Sequence, residues 1–149
     1  MTIRDCGSCG KCCEGWLTGT IKGHDMKPDV PCHFYNNCKC TIYEDRPKDP
    51  CVDYNCAWIE DEIFPDWMRP DQINVIITHK PHPEIHNLSY YDVTEAGSKI
   101  DSTVLNWLIL WAFANTKNVI YEVGGEVFRI GNPDFINMMD QIINAQLIK

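Results

Sequence analysis

Hydrophobic and polar positions are arranged differently in the two parts of this chain. From about residue 70 onward, apolar residues recur with the spacing of helices and strands. In the first 60 residues, short apolar runs are interrupted by Gly, Pro, Asn and Asp, which favour loops and turns. We therefore expect the second part to form a conventional hydrophobic core, and the first part to depend on something else.

The second part predicts six elements in the order strand, strand, helix, strand, strand, helix. The strands are expected at residues 73–78, 86–93, 118–123 and 126–130, and the helices at 103–115 and 133–147. Asp101 and Ser102 favour the start of the first helix, and Asn132 followed by Pro133 favours the start of the second. Apolar residues lie nearly all round the first helix, which predicts that it is buried.

This order predicts an α+β fold, in which a mostly antiparallel sheet carries two helices on one face in ββα-ββα order. A small cysteine-rich module over residues 1–61 would pack on one end of an α+β domain over residues 62–149, or the two would form one compact unit. Within the module, short strands are expected at 16–21 and 38–43. A helix is expected from residue 49 or 50 to 59.

All nine cysteines of the chain lie in its first 56 residues. Thiolates are ligands for zinc and for iron–sulfur clusters, so each cysteine is a candidate metal and cofactor ligand. The start of the chain lacks an apolar leader, so we expect a cytoplasmic protein, and in that compartment clustered cysteines favour metal over disulfides. The candidate ligands are Cys6, Cys9, Cys12, Cys13, Cys32, Cys38, Cys40, Cys51 and Cys56.

The spacing of the first cysteines favours an iron–sulfur cluster over zinc. Cys6, Cys9 and Cys12 form a C-x-x-C-x-x-C run, which is the bacterial ferredoxin type of [4Fe–4S] ligation. The fourth ferredoxin cysteine, with its trailing proline, is absent, and Cys13 adjoins Cys12 instead. Nine cysteines suffice for two four-cysteine centres with one left over. Two zinc sites, two clusters, or one of each fit that count.

These residues resemble the CxxCxxCC family, the zinc- or iron-chelating cysteine-cluster domain. The resemblance rests on the block from Cys6 to Cys13, on Cys32, on the block from Cys38 to Cys51, and on Tyr54 with Cys56. It covers residues 6 to about 58, and it implies that the cysteines chelate metal. The family is related to the cysteine domain of flagellin lysine N-methylases, which look like iron–sulfur enzymes that use S-adenosylmethionine.

Other side chains offer weaker metal-binding candidates. His79, His82 and His86, with Glu84, could ligate zinc or iron, but Pro81 and Pro83 exclude helical spacing and favour a solvated loop instead. His24 or His33 could replace a thiolate in a Cys₃His site.

Four residues near the cysteines admit local explanations. Arg46 either bonds a ligand or a cluster thiolate, or it fixes a turn by pairing with Asp45, Asp49 or a backbone carbonyl, and the turn is favoured. Tyr43, Tyr54 and Trp58 are expected to form an apolar cover over the centre. Farther along the chain, Trp107 and Trp111 form a stripe at helical spacing, which favours core packing.

Charge narrows the classes of partner. The net charge of −8 and the pI near 4.9 argue against nucleic acid and anionic membranes, and the apolar run from Trp107 to Ala114 is too short to span a bilayer. A protein partner is compatible with the sequence, which does not indicate an oligomeric state or a substrate.

We expect an iron–sulfur cluster-binding protein, with a [4Fe–4S] cluster and a redox or regulatory role. The alternatives are a structural zinc module that mediates a protein interaction, and a small relative of the protein lysine N-methylases. No glycine-rich nucleotide loop follows a predicted strand, since Gly124-Gly125 lies in a predicted hairpin.

Overall fold

The computed structural model describes residues 9 to 147 except residues 10, 15, 17, 18, 28, 29, 38, 49, 50, 52–54, 83, 86, 87, 124 and 125. For residues 123, 143 and 145–147 it describes the backbone alone. Cys6, Cys38, Tyr54 and His86, which the sequence singles out, therefore lie outside the described residues.

Two small antiparallel hairpins form the first part of the fold. Strands β1 (Gly19–Ile21) and β2 (His24–Met26) are joined through Lys22 and Gly23, which both have positive φ as a tight hairpin turn requires. Strands β3 (Tyr35–Asn36) and β4 (Lys39–Cys40) form the second hairpin. The predicted strands at 16–21 and 38–43 correspond to β1 and β4, each shorter than expected.

Short helical segments connect these hairpins to the main sheet. Helix α1 (Ala57–Glu60) and helix α2 (Pro70–Ile73) flank a 3-10 turn at Asp66–Met68. Helix α2 begins at a proline, as helix starts permit, and ends at Asn74, whose left-handed conformation turns the chain directly into the next strand.

A four-stranded sheet organises the second part. Its strands are β5 (Val75–Lys80), β6 (Tyr90–Glu95), β7 (Val119–Val123) and β8 (Glu126–Ile130), in that spatial order. Pairs β5–β6 and β7–β8 are antiparallel, whereas β6–β7 is parallel, since helix α3 (Ser102–Asn115) carries the chain back between them. Helix α4 (Pro133–Leu147) follows β8. The α+β class is confirmed.

The two long helices lie on opposite faces of this sheet. The ring of Tyr91 in β6 contacts Trp111 of α3 at 5.0 Å between centroids, whereas the adjacent Tyr90 contacts Phe135 of α4 at 5.4 Å. Successive strand residues point to opposite faces, so α3 and α4 must be on different sides. The prediction that both helices cover one face is therefore wrong.

Helix α3 is buried on one side only. Val104, Leu108 and Trp111 are buried, but Leu110 is 70% exposed and Phe113 is 72% exposed. The prediction of a fully buried helix fails because the sheet covers only one side of α3, and within the described residues no other element buries these two side chains.

The apolar interior divides into two clusters. The larger one, here the body core, joins α1, the segment after it, β5 to β7 and α3; its buried members are Cys56, Ala57, Trp58, Phe64, Met68, Val75, Ile76, Ile77, Tyr91, Val93, Ala96, Val104, Leu108, Trp111, Ala112 and Val119. The smaller one, here the lobe core, contains buried Ile21, Met26 and Cys32. Cysteine is thus a buried member of both clusters.

A bilayer crossing by a helix finds no support in the described part of the chain, because none of its helices combines sufficient length with sufficient apolar character.

Candidate metal centre

The adjacent residues Cys12 and Cys13 open a 3-10 turn that runs to Glu14. Cys12 packs against the body core, of which Cys56 is a buried member. Cys13 packs against the lobe core, of which Cys32 is a buried member. One peptide bond therefore links a thiol that faces the main body to a thiol that faces the lobe.

Three sequence-distant cysteines meet on the lobe side. The backbone N–H of Cys32 donates a hydrogen bond to the carbonyl of Cys13 at 2.7 Å, which fixes the two segments together. Cys51 packs against the same lobe core. Cys40 is half-buried in β4, where its register partner is Tyr35, a residue that also packs on the lobe core.

Cys56 occupies a different position from the one predicted. It is the residue immediately before α1, not a residue on the surface of a longer helix, and it is buried in the body core. Cys51 belongs to the lobe side, so the structure does not place Cys51 and Cys56 together as the predicted helix at 49–59 would have done. Much of that predicted helix lies outside the described residues.

Cys9 lies beside the start of α2. Burial raises the pKa of the Cys9 thiol above its ordinary value, while hydrogen bonds from the backbone N–H groups of Lys11 and Asp71 oppose that rise. N–H donors aimed at sulfur stabilise a thiolate, and hydrogen bonds of this kind accompany metal-bound thiolates. The site is therefore suited to an anionic sulfur but insufficient to produce one without a cation.

A charge pair borders Cys9. The Arg69 guanidinium binds Asp71 through two hydrogen bonds, of 2.5 and 2.6 Å, and this hydrogen bonding lowers the pKa of the Asp71 carboxyl. The same guanidinium lies close enough to Cys9 to favour its thiolate.

Glu14 ties the cysteine turn to its surroundings. Its carboxylate accepts hydrogen bonds from Trp16 Nε1 at 3.3 Å and from the Tyr35 hydroxyl at 3.4 Å, and it pairs with Lys11 Nζ at 3.4 Å. Because Trp16 packs on the body core and Tyr35 on the lobe core, this carboxylate bridges the two clusters beside Cys12 and Cys13. Sequence reasoning did not single out Glu14.

The donor set has the chemistry of a soft-metal site. Within the described ranges, no three His, Cys, Asp or Glu side chains are grouped closely enough to hold an ion. Cys9, Cys32 and Cys40 carry free thiols. Thiols on two converging groups, with N–H donors at Cys9, fit zinc or an iron–sulfur cluster better than hard cations.

The predicted histidine ligands have other contacts. The ring of His79 packs on Tyr91 at 4.7 Å between centroids, and His82 Nδ1 accepts a hydrogen bond from the backbone N–H of Ile85 at 2.9 Å. His24 and His33 stack face to face, with 3.8 Å between ring centroids and 4° between planes. These arrangements hold a sheet, a loop and a hairpin in place.

The residues expected near the cysteines separate into two kinds. Arg46 Nε donates to the Tyr43 carbonyl at 2.9 Å, and its guanidinium lies 3.8 Å from the Tyr43 ring centroid, so Arg46 fixes a turn through a backbone carbonyl as favoured. Tyr43 is 39% exposed and forms no apolar cover. Trp58 is buried beside Cys56 in the body core and donates to the Pro65 carbonyl at 3.1 Å.

The tryptophan stripe of α3 is core, as favoured. The rings of Trp107 and Trp111 stack with 5.8 Å between centroids, and Phe64 contacts both.

A groove on the sheet was missed by sequence reasoning. It has a volume of 470 Å³ on the face that carries α4, and its side-chain lining includes Asp92, Thr94, Ile120, Glu122 and Val127. The alternation of polar residues along β6 was the available signal. The groove is acidic, and Asp92 already pairs with Lys80 at 3.0 Å.

Comparison with known proteins returned no matching family model, no matching curated protein and no matching solved structure. The resemblance to the CxxCxxCC family thus stays a prediction carried by the cysteine motif.

Proposed function

We propose that this protein binds an iron–sulfur cluster, of the [4Fe–4S] type, through its N-terminal cysteines, and that it serves a redox or regulatory role in the cytoplasm. The membership of the CxxCxxCC family, which the motif suggests, is part of the same proposal. Such a cluster supplies reversible one-electron chemistry when bound.

The convergence of sequence-distant cysteines is the observation that carries this proposal. Cys13, Cys32 and Cys51 come from three separate segments and meet on a core with only three buried residues. A core of that size provides little hydrophobic stabilisation, and small lobes of this kind are commonly completed by metal or disulfides. In a reducing compartment metal is the favoured choice.

The surroundings of Cys9 support a bound cation. Its thiol pKa is raised by burial, yet two backbone N–H groups donate to its sulfur. A soft cation would lower the pKa of the thiol and give those donors an anionic acceptor. The ferredoxin-like spacing of Cys6, Cys9 and Cys12 then favours a cluster over a single zinc ion.

The test is the analysis of iron, zinc and acid-labile sulfide in the full chain purified without oxygen, together with its visible spectrum. We expect iron and sulfide in equal amounts and a broad absorption band that bleaches on reduction. Cys9→Ser should lower the iron content, whereas Met26→Leu, which removes a buried lobe sulfur that is not a thiol, should leave it unchanged.

Zinc without sulfide would replace this function by the structural zinc module. A chain free of both metals would refute metal binding altogether.

A further inference from the structure

The described cysteines separate into two groups. Cys12 and Cys56 belong to the body core, and Cys9 lies beside α2 on the same body. Cys13, Cys32 and Cys51 belong to the lobe core, with Cys40 in the adjoining hairpin. The division runs through the peptide bond between Cys12 and Cys13.

We propose that the chain holds two separate metal centres, one on the body and one in the lobe, that share the Cys12–Cys13 dipeptide as their junction. This inference rests on the proposed function, since it assigns the cysteines of that same region. The body centre uses Cys9, Cys12 and Cys56, and the lobe centre uses Cys13, Cys32 and Cys51.

Coordination geometry requires the separation. A metal–thiolate bond is about 2.3 Å, so all sulfurs on one ion lie within roughly 4 Å of one another. Cys12 and Cys13 pack against different hydrophobic clusters, and their side chains diverge from one backbone turn. A single ion cannot take both thiolates while both clusters remain packed.

The remaining cysteines complete the count. No three described ligands form a closed set, so each centre needs a further sulfur. Spacing assigns Cys6 to the body centre, because it precedes Cys9 by the same two-residue gap that separates Cys9 from Cys12. Cys38 or Cys40 supplies the lobe centre. The result is four cysteines for the body and five for the lobe.

Glu14 gives the two centres a fixed relative position. Its carboxylate binds Trp16 on the body side and Tyr35 on the lobe side, immediately after the junction. Removing one centre should therefore leave the other with its ligands and its packing intact.

The experiment counts metal per chain by native mass spectrometry and elemental analysis in the full protein. The adjacent variants Cys12→Ser and Cys13→Ser form a matched pair, since they differ by one position and by the core they face. We expect two centres in the unaltered chain and the loss of one centre in each variant. The double variant Cys12→Ser/Cys13→Ser should lose both.

Further pairs test which cysteines act together. Cys12→Ser/Cys56→Ser should lose no more metal than Cys12→Ser alone, and Cys13→Ser/Cys51→Ser no more than Cys13→Ser alone. Cys12→Ser/Cys51→Ser should lose both centres. Tryptophan fluorescence of the body core, which holds Trp58 and Trp111, verifies that each variant is folded.

The outcomes separate this inference from the function on which it rests. If the unaltered chain holds metal but Cys12→Ser and Cys13→Ser each remove all of it, there is one centre and the two-centre arrangement is overturned while metal binding stands. If the pairs lose metal in another grouping, the assignment is overturned. If the unaltered chain holds no metal, both proposals fail.

Discussion

Asn118 is the one buried polar residue among those the structure describes, with 5% exposure, and its amide joins three segments. Its Nδ2 donates to the Ser89 carbonyl at 2.9 Å, and its Oδ1 accepts from the Asn132 backbone N–H at 3.1 Å. These bonds connect the approach to β6, the start of β7 and the entry to α4. A buried amide that satisfies both its donor and its acceptor function stabilises one particular arrangement of these segments.

Gly131 makes that arrangement possible. Its φ is +155°, and a Cβ at this position would overlap Asn118 Oδ1 and lie 2.9 Å from Phe135 Cδ2. We expect Gly131→Ala to lower the free energy of unfolding by about 2 to 4 kcal/mol, because it displaces a buried amide and overpacks a fully buried ring. Urea denaturation measures the change.

Gly23→Ala is the matched control for this substitution. Gly23 also has positive φ, at +84°, but an added Cβ there meets nothing within 4 Å. Its cost should be limited to backbone strain of about 1 kcal/mol. Equal losses in the two variants would show that contact with Asn118 is not the cause.

Individual residues differ in how far sequence reveals them. Asn132 was predictable as a helix cap, since its Oδ1 accepts from Phe135 N–H three residues later, a local contact. The separation of Cys12 from Cys13 was only partly foreseeable. Their adjacency suggested that they do not share a centre, but the core that each one faces depends on segments 20 to 100 residues away.

At the scale of elements, helix α3 begins with a side-chain cap. Asp101 Oδ1 accepts a hydrogen bond from the Thr103 backbone N–H at 2.8 Å. We expect Asp101→Ala to destabilise the protein by about 1 kcal/mol, because a helix-terminal donor loses its partner. For a chain of this size that corresponds to a fall in Tm of about 3 °C, measurable by calorimetry.

Asp101→Asn retains the accepting oxygen and serves as the control. It should keep most of the stability that Asp101→Ala loses. If both variants lose the same amount, the carboxylate charge, not the cap, is responsible.

Elements were predicted well where their signals are local. Helix α3, helix α4 and the β7–β8 hairpin lie within a residue or two of their predicted bounds, because caps, periodicity and a two-residue turn define them. Strand β6 starts at Tyr90 and not at residue 86, since the residues before it belong to a loop bonded through His82. Short helix α2 was missed because four residues carry no periodic pattern.

The arrangement of elements was less accessible than their existence. The faces occupied by α3 and α4 are decided by contacts such as Tyr90 with Phe135 and Tyr91 with Trp111, which join residues 20 to 45 positions apart. Both helices carry apolar residues, and nothing in their sequences distinguishes one face of the sheet from the other.

At the scale of the whole molecule, the two cores differ greatly in size. The body core unites four segments of helix and sheet, whereas the lobe core has three buried residues. If the proposed metal is bound, part of its binding free energy is folding free energy of the lobe. The lobe should therefore depend on metal, and the body should not.

Removal of metal tests this dependence. After treatment with a strong chelator, we expect backbone amides of β1, β2 and β3 to exchange with solvent at least about tenfold faster, while amides of β5 to β8 keep their protection. Hydrogen exchange followed by mass spectrometry measures both regions in one sample. Metal added back should restore the lobe, and equal loss of protection in both regions would contradict the division.

The parallel pairing of β6 with β7 has a consequence for how the chain reaches its native state. The hairpin β7–β8 closes within a few residues, and β5–β6 within about ten, but the joint between β6 and β7 spans all of α3. The loop-closure entropy of that joint is lost before its contacts form, so the central seam is the natural rate-limiting step of folding. Mutations that weaken α3 should then slow folding, whereas mutations in the outer strands should mainly speed unfolding.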